Sequence, residues 1–150
     1  MKNSVKMAVA FFLLVIGIVG TMLYFYFWKL TPRLSYDIVR VPMNELQDKE
    51  WFDVAEEVGD NNLVFSQRLE TYCGAEDFLK LKVSIEGNTI TITETYFGKN
   101  GGEVCPYDIY GIIEPLQEGT YFIRVIFVDK YLNKTEILHE ITASLKVVPD

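Results

Sequence analysis

Histidine and cysteine are scarce in this chain, with one His and two Cys in 150 residues. A closed metal site needs three or four ligands. His139 stands far along the chain from both Cys73 and Cys105, so no metal or other cofactor is expected. The cysteines do not form the C-x-x-C of a redox pair. A single histidine with no positioned nucleophile does not assemble a hydrolase triad. The chain has no G-x-S-x-G and no H-E-x-x-H. "GKNGG" (98–102) lacks the Lys-Ser/Thr ending of a phosphate loop and precedes a strand, so it reads as a flexible hairpin tip. These absences argue against an enzyme.

Charge of one sign is also missing from the front of the chain. All 21 Asp and Glu lie beyond Lys29, against 11 Lys and Arg there (14 less Lys2, Lys6 and Lys29), a net of −10. Such a surface repels nucleic acid and anionic lipid headgroups, and no Lys/Arg block softens that expectation.

What the front of the chain does have is a long apolar run. From Ala8 to Trp28, 21 residues pass without a charge. As a helix the run spans about 30 Å, the hydrocarbon thickness of a bilayer. Lys2 and Lys6 flank one side, Lys29 and Arg33 the other, and Tyr24, Tyr26 and Trp28 crowd the far end. Amphipathic rings favour that headgroup depth. A cleaved signal peptide is the competing reading. Its apolar core is normally about 7–15 residues and ends in small residues, whereas this run ends in "LYFYFW". The expectation is therefore a short basic tail and transmembrane signal anchor (1–28), a tether (29–35, broken by Pro32) and an extracytoplasmic domain (36–150). Gly17 and Thr21 form a small-xxx-small pair on the anchor. Asn133-Lys134-Thr135 is a sequon, making Asn133 a possible glycosylation site.

The domain reads as strands. "FLKLKVSI" (78–85) and "TITITETYF" (89–97) alternate with period two, joined by Glu86-Gly87-Asn88, a hairpin signal. "YDIYGII" (107–113), "TYFIRVIFV" (120–128) and "TEILHEITASLKVV" (135–148) repeat the pattern, with Ile137, His139, Ile141, Ala143, Leu145 and Val147 on one face. "YDIVRV" (36–41) and "LVFSQRLETY" (63–72) bring the total to about seven strands, an all-β antiparallel sandwich or barrel. One stretch differs. In 43–60, Leu46, Trp51, Ala55 and Val58 fall near helical spacing, ending at Gly59. A short helix is expected there. Its outer face would gather Asp53, Glu56, Glu57 and Asp60 at i, i+3, i+4 and i+7, as a weak Ca²⁺ site, a contact for a basic partner or, since no EF-hand or Asp-x-Asp spacing supports calcium, a solvated face.

"PLQEGTYFIRV" (115–125) resembles the Leu-x-x-Gly-Thr-Tyr turn-into-strand of secreted immunoglobulin-like β-sandwiches, including carboxypeptidase regulatory-like and fibronectin type III-like modules. The resemblance covers about a dozen residues. It implies that Leu116 closes one strand, Gly119 takes the turn, and Tyr121 opens the next strand as a tyrosine corner. It departs from antibody domains at Ile123, where their second cysteine stands, which removes a B–F intersheet disulfide. Under this resemblance 63–72 is strand B, 107–113 strand E, 120–128 F and 135–148 G. B and E are then antiparallel neighbours, and Cys73 and Cys105 meet at one end of one sheet as a disulfide. Ligand count also favours such a staple over a metal or redox pair.

Tyr72, Tyr96, Phe97, Tyr107 and Tyr110 gather in sequence around the two cysteines. On a sandwich they would cluster at one end and offer an interaction surface, or pack around the disulfide. The function expected is a non-catalytic binding or accessory module of an envelope or cell-surface complex, with a protein partner and one membrane span. The alternative is a metal- or carbohydrate-binding carrier or enzyme using carboxylates such as Asp108 and Glu114 with the 53–60 face.

Overall fold

A computed structural model describes residues 12–24, 26, 31–42, 51–57, 61–99 and 102–145. The chain divides into two units, 1–31 and 32–150. In the first, residues 12–24 and 26 are helical. The Thr21 hydroxyl donates back to Gly17 O (3.0 Å) and Ile18 O (2.8 Å) of its own helix. Among the described residues no helix is long and apolar enough to cross a membrane. Residues 8–11, 25, 27 and 28 of the expected span lie outside the described residues.

The second unit holds eight strands: β1 (Arg33–Arg40), β2 (Trp51–Glu57), β3 (Asn62–Tyr72), β4 (Leu79–Glu86), β5 (Thr89–Tyr96), β6 (Val104–Glu114), β7 (Gly119–Asp129) and β8 (Lys134–Leu145). They form two four-stranded sheets, β1-β6-β3-β2 (sheet A) and β4-β5-β7-β8 (sheet B). One hydrophobic core draws on both. Leu63, Phe65, Ile109 and Ile113 come from sheet A, and Ile90, Ile92, Ile123 and Val125 from sheet B; all eight are fully buried. Burial of this apolar surface is the main stabilising term.

The alternating runs become strands as their patterns demand. In β5 the burial pattern alternates strictly between interior and half-exposed positions. The β4–β5 hairpin closes on Gly87, whose φ of 59° suits the first central residue of a two-residue turn. In β6, Gly111 faces Phe65 across the ladder, and the Phe65 ring occupies the space a Cβ would take.

Four expectations need correction. The helix expected over 43–60 is β2 at residues 51–57, paired antiparallel with β3, and residues 43–50 and 58–60 lie outside the described residues. Helical spacing of Trp51 and Ala55 competed with a second pattern, Phe52 and Val54 with period two. The second prevails because Phe52 packs tilted against the core ring of Phe65 (6.1 Å) and stacks on His139 (5.3 Å) while β2 covers the flank of β3. A strand does not gather residues at i, i+3, i+4 and i+7, so the expected carboxylate face does not form within 53–57. Asp60 lies outside the described residues.

The domain is also not wholly antiparallel, since β5 and β7 pair in parallel. Between them the chain crosses into sheet A as β6 and returns, so both strands run the same way. Next, β1 begins at Arg33, inside the expected tether. Lastly, β8 carries a register shift opposite Val125/Ile126: Val125 pairs with His139 and Ile126 with Ile137, which skips Leu138. The skipped residue turns Ile137 outward, 54% exposed, while His139, Ile141, Ala143 and Leu145 keep the inward phase.

Candidate functional site

Strands β3, β5 and β7 end, and β4, β6 and β8 begin, at the same end of the two sheets. Cys73 and Cys105 are bonded there, with their Cα atoms 4.9 Å apart. The bond extends the β3–β6 ladder, whose last pairs are Thr71↔Cys105 and Tyr72↔Val104, and Cys73 N donates to Glu103 O (3.0 Å). Arg40 Nη2 lies 3.0 Å from Cys105 Sγ.

The five aromatics grouped by sequence separate in space. Tyr107 is buried, and its hydroxyl accepts from Gly74 N (2.7 Å) and Ala75 N (3.1 Å) and donates to Tyr72 O (3.3 Å). It thereby fixes the turn that leads from the staple into a 3-10 turn, Ala75–Asp77. Burial, foremost, pushes its phenol pKa up. Tyr96 is buried too, its ring 5.2 Å from that of half-buried Tyr72, and its hydroxyl donates to Lys99 O (2.9 Å). Burial, then Asp129 and Tyr72, raise its pKa. Tyr110 lies on the outer face of sheet A, half exposed, away from the staple. Only Phe97 stands at the stapled end and largely in solvent, 55% exposed.

Phe97 has company that the sequence grouping missed. The pair Leu79↔Tyr96 places Phe78 beside Phe97, and Phe97 N donates to Phe78 O (3.0 Å). Lys80 Nζ lies 5.8 Å from the Phe97 ring centroid. At the β7–β8 turn, Tyr131 and Leu132 are 59% and 51% exposed. Their presentation is held from below: buried Asp129 accepts at Oδ1 from Tyr131 N (2.8 Å) and Leu132 N (2.9 Å). Asn133 closes this turn with a φ of 51°, exposed. An Asp buried at a strand end, two residues before an exposed Tyr-Leu, was the signal available in "DKYLNK".

A second surface lies on the outer face of sheet A. Ser35, Tyr36, Asp37, Val64, Tyr110 and Ile112 line a depression of about 320 Å³. Beside it Arg68 makes a two-pronged ion pair with Asp108 (2.7 and 2.9 Å), the side chains only 12% and 14% exposed. Asp108 is thus committed to Arg68, and Glu114 stands exposed at the other end of β6. Of the carboxylates named for a carrier or enzyme, Asp108 and Glu114 stand six residues apart along β6, and the side chains of Glu56, Glu57 and Asp60 lie outside the described residues. Among the described residues no group of three or more His, Cys, Asp or Glu is placed to hold a metal ion.

Sequence reasoning also passed over Glu94. It is fully buried and receives a hydrogen bond from Gln67 Nε2 of the facing sheet. Burial raises its pKa to about 8, the Gln67 hydrogen bond opposing in part. Glu94 Oε2 and Gln67 Oε1 have no partner. Protonation removes a charge that this dry interior would otherwise hold with a single hydrogen bond, so the neutral acid is the form favoured here. Both residues were findable by parity: Glu94 shares the phase of Ile90, Ile92 and Tyr96, and Gln67 that of Leu63, Phe65 and Leu69.

Comparison of the chain with protein-family models, with curated proteins and with solved structures finds no match in any of the three.

Proposed function

We propose that the chain is a membrane-anchored, extracytoplasmic β-domain that works by binding, as a non-catalytic accessory module of an envelope or cell-surface complex. The observation that carries this reading is the stapled end. There, exposed Phe78, Phe97, Tyr131 and Leu132 stand on a base fixed by a disulfide, the Tyr107 hydroxyl and buried Asp129. Large apolar side chains held in water by a rigid base are a feature of interaction surfaces.

An immunoglobulin-like ancestry fits part of the topology. The β3–β6 and β7–β8 antiparallel pairs are the B–E and F–G neighbours of that arrangement, and Tyr121 Oη donates to Gln117 O (2.8 Å) as a tyrosine corner does. The parallel β5–β7 pair departs from it. The anchor reading rests on the uncharged run Ala8 to Trp28.

A photo-crosslinking side chain in place of Phe97 tests the binding reading in membranes that carry the full chain. The expected result is an adduct to a protein or a lipid, retained after carbonate washing because the chain is anchored. No adduct from Phe97 or from a second probe at Tyr131 would sink the binding role of this end. Release of the chain by carbonate would sink the anchor alone.

A further inference from the structure

We propose that the outer face of sheet B, from Phe78 and Phe97 to Ile137 and the Tyr131–Leu132 tip, docks on an anionic lipid surface. This rests on reading the stapled end as a contact surface, and it names the partner.

The outward positions of sheet B follow from its register. On β4 they are Lys80, Lys82, Ser84 and Glu86, with Phe78 just ahead of the strand. On β5 they are the threonines 89, 91, 93 and 95, and then Phe97. On β7 they include Arg124, Ile126, Val128 and Lys130, and on β8 Thr135, the outward-turned Ile137 and Glu140. Over the half of this face nearest the staple, the charged groups at outward positions are Lys80, Lys82 and Lys130. The carboxylates on this face lie toward its other half, Glu86 at the far end of β4 and Glu140 bonded to Arg124 (2.7 Å). At the edge of the patch Lys134 pairs with Glu136 (2.6 Å), and Glu76 and Asp77 sit in the 3-10 turn beside Phe78. In a domain carrying −10, a lysine-bearing apolar face is a segregation of charge.

Sheet A presents the opposite sign outward, with Asp37, Asp53 and Asp108 among its outward residues and Arg68 engaged with the last. The chemistry of the sheet B face is that of a membrane interface. Phe97, Tyr131, Leu132 and Ile137 are each more than half exposed, and ammonium groups on flexible stems stand beside them. Rings and aliphatic ends enter the headgroup boundary while lysines meet phosphates. Tyr131 and Leu132 stand exposed in the β7–β8 turn, where a fluid headgroup layer can close around both side chains.

The native cysteines are bonded to each other, so a fluorophore attached through Leu132→Cys labels one place. The full chain carrying that label is held in zwitterionic nanodiscs and mixed with vesicles of phosphatidylcholine, with or without phosphatidylglycerol. Docking predicts a blue shift with the anionic vesicles, abolished by high salt. Lys80→Gln and Lys82→Gln should each weaken it roughly fivefold, and Phe97→Ser roughly tenfold or more. No shift with anionic vesicles overturns the proposal, as does an equal shift with phosphatidylcholine alone. A shift without vesicles that grows with protein concentration overturns it in favour of a second copy of the chain. A protein adduct from Phe97 in native membranes, with no vesicle shift, leaves the binding module standing and removes the lipid.

Discussion

The two sheets are built to different rules. Sheet A is antiparallel throughout, its central β3–β6 ladder locked by a disulfide and its outer face carrying a screened ion pair. Sheet B has a parallel centre, no covalent tie, a register shift in β8 and an ion pair largely in water. Their difference teaches where rigidity is placed: sheet A fixes the end from which sheet B's aromatics project.

The largest effect should come from removing the tie. The Cys73–Cys105 bond spans 32 residues of separation, worth about 3–4 kcal/mol in chain entropy. Denaturant melts of the full chain with and without reductant should show that loss. If the aromatics at the stapled end depend on sheet A, Cys73→Ala/Cys105→Ala should also quench the signal of a probe at Leu132. Equal stability with and without the bond would mean that sheet A needs no staple.

Second in size is the contact between the sheets. Unfolded Glu94 titrates near 4.5, and folding raises this to about 8. The folded state therefore keeps a proton the unfolded chain releases. The stability from neutral Glu94 is complete below pH 4.5, declines as pH rises from 4.5 to 8, and is lost above that. Glu94→Gln should flatten this slope. Melting temperatures recorded from pH 4 to 9 for both forms test it, and parallel curves would refute a buried neutral acid. Gln67→Leu leaves the carboxyl unpaired and should destabilise by about 1–3 kcal/mol.

The smallest expected difference separates the two ion pairs. Asp108→Asn, which breaks the two-pronged pair at 12% and 14% exposure, should cost about 1–2 kcal/mol. Glu140→Gln, at 42% exposure, should stay under about 0.5 kcal/mol and vanish in salt. Equal costs would erase this contrast between the sheets.

Much of sheet B was legible because its strands alternate: β4, β5 and the hairpin at Gly87 follow from period two and turn chemistry alone. The expected pairing of 63–72 with 107–113 also appears, as β3–β6 with the bonded cysteines at its end. Three things were not legible, each for a physical reason. Trp51 to Glu57 satisfies both a helical and a strand spacing, and only the exposed flank of β3 decides between them. The parallel β5–β7 pair depends on a crossing through the other sheet, which no local period records. The slip at Leu138 reverses the phase of Ile137, turning an expected core residue into part of a surface. As for the candidate site, proximity in sequence gathered Tyr96 and Tyr107 with Phe97. Phase along their strands sends the two tyrosines inward and the phenylalanine out.

One small pattern bears on how copies of this protein meet. On both edge strands of sheet A an aspartate turns back onto its own chain, Asp37 Oδ1 accepting from Ile38 N (3.0 Å) and Asp53 Oδ1 from Val54 N (2.9 Å). A strand arriving at either margin meets a negative charge and an amide already taken. Growth of fibrils by edge-to-edge stacking is thereby discouraged on the stapled sheet; among the described residues the outermost strands of the other sheet are β4 and β8.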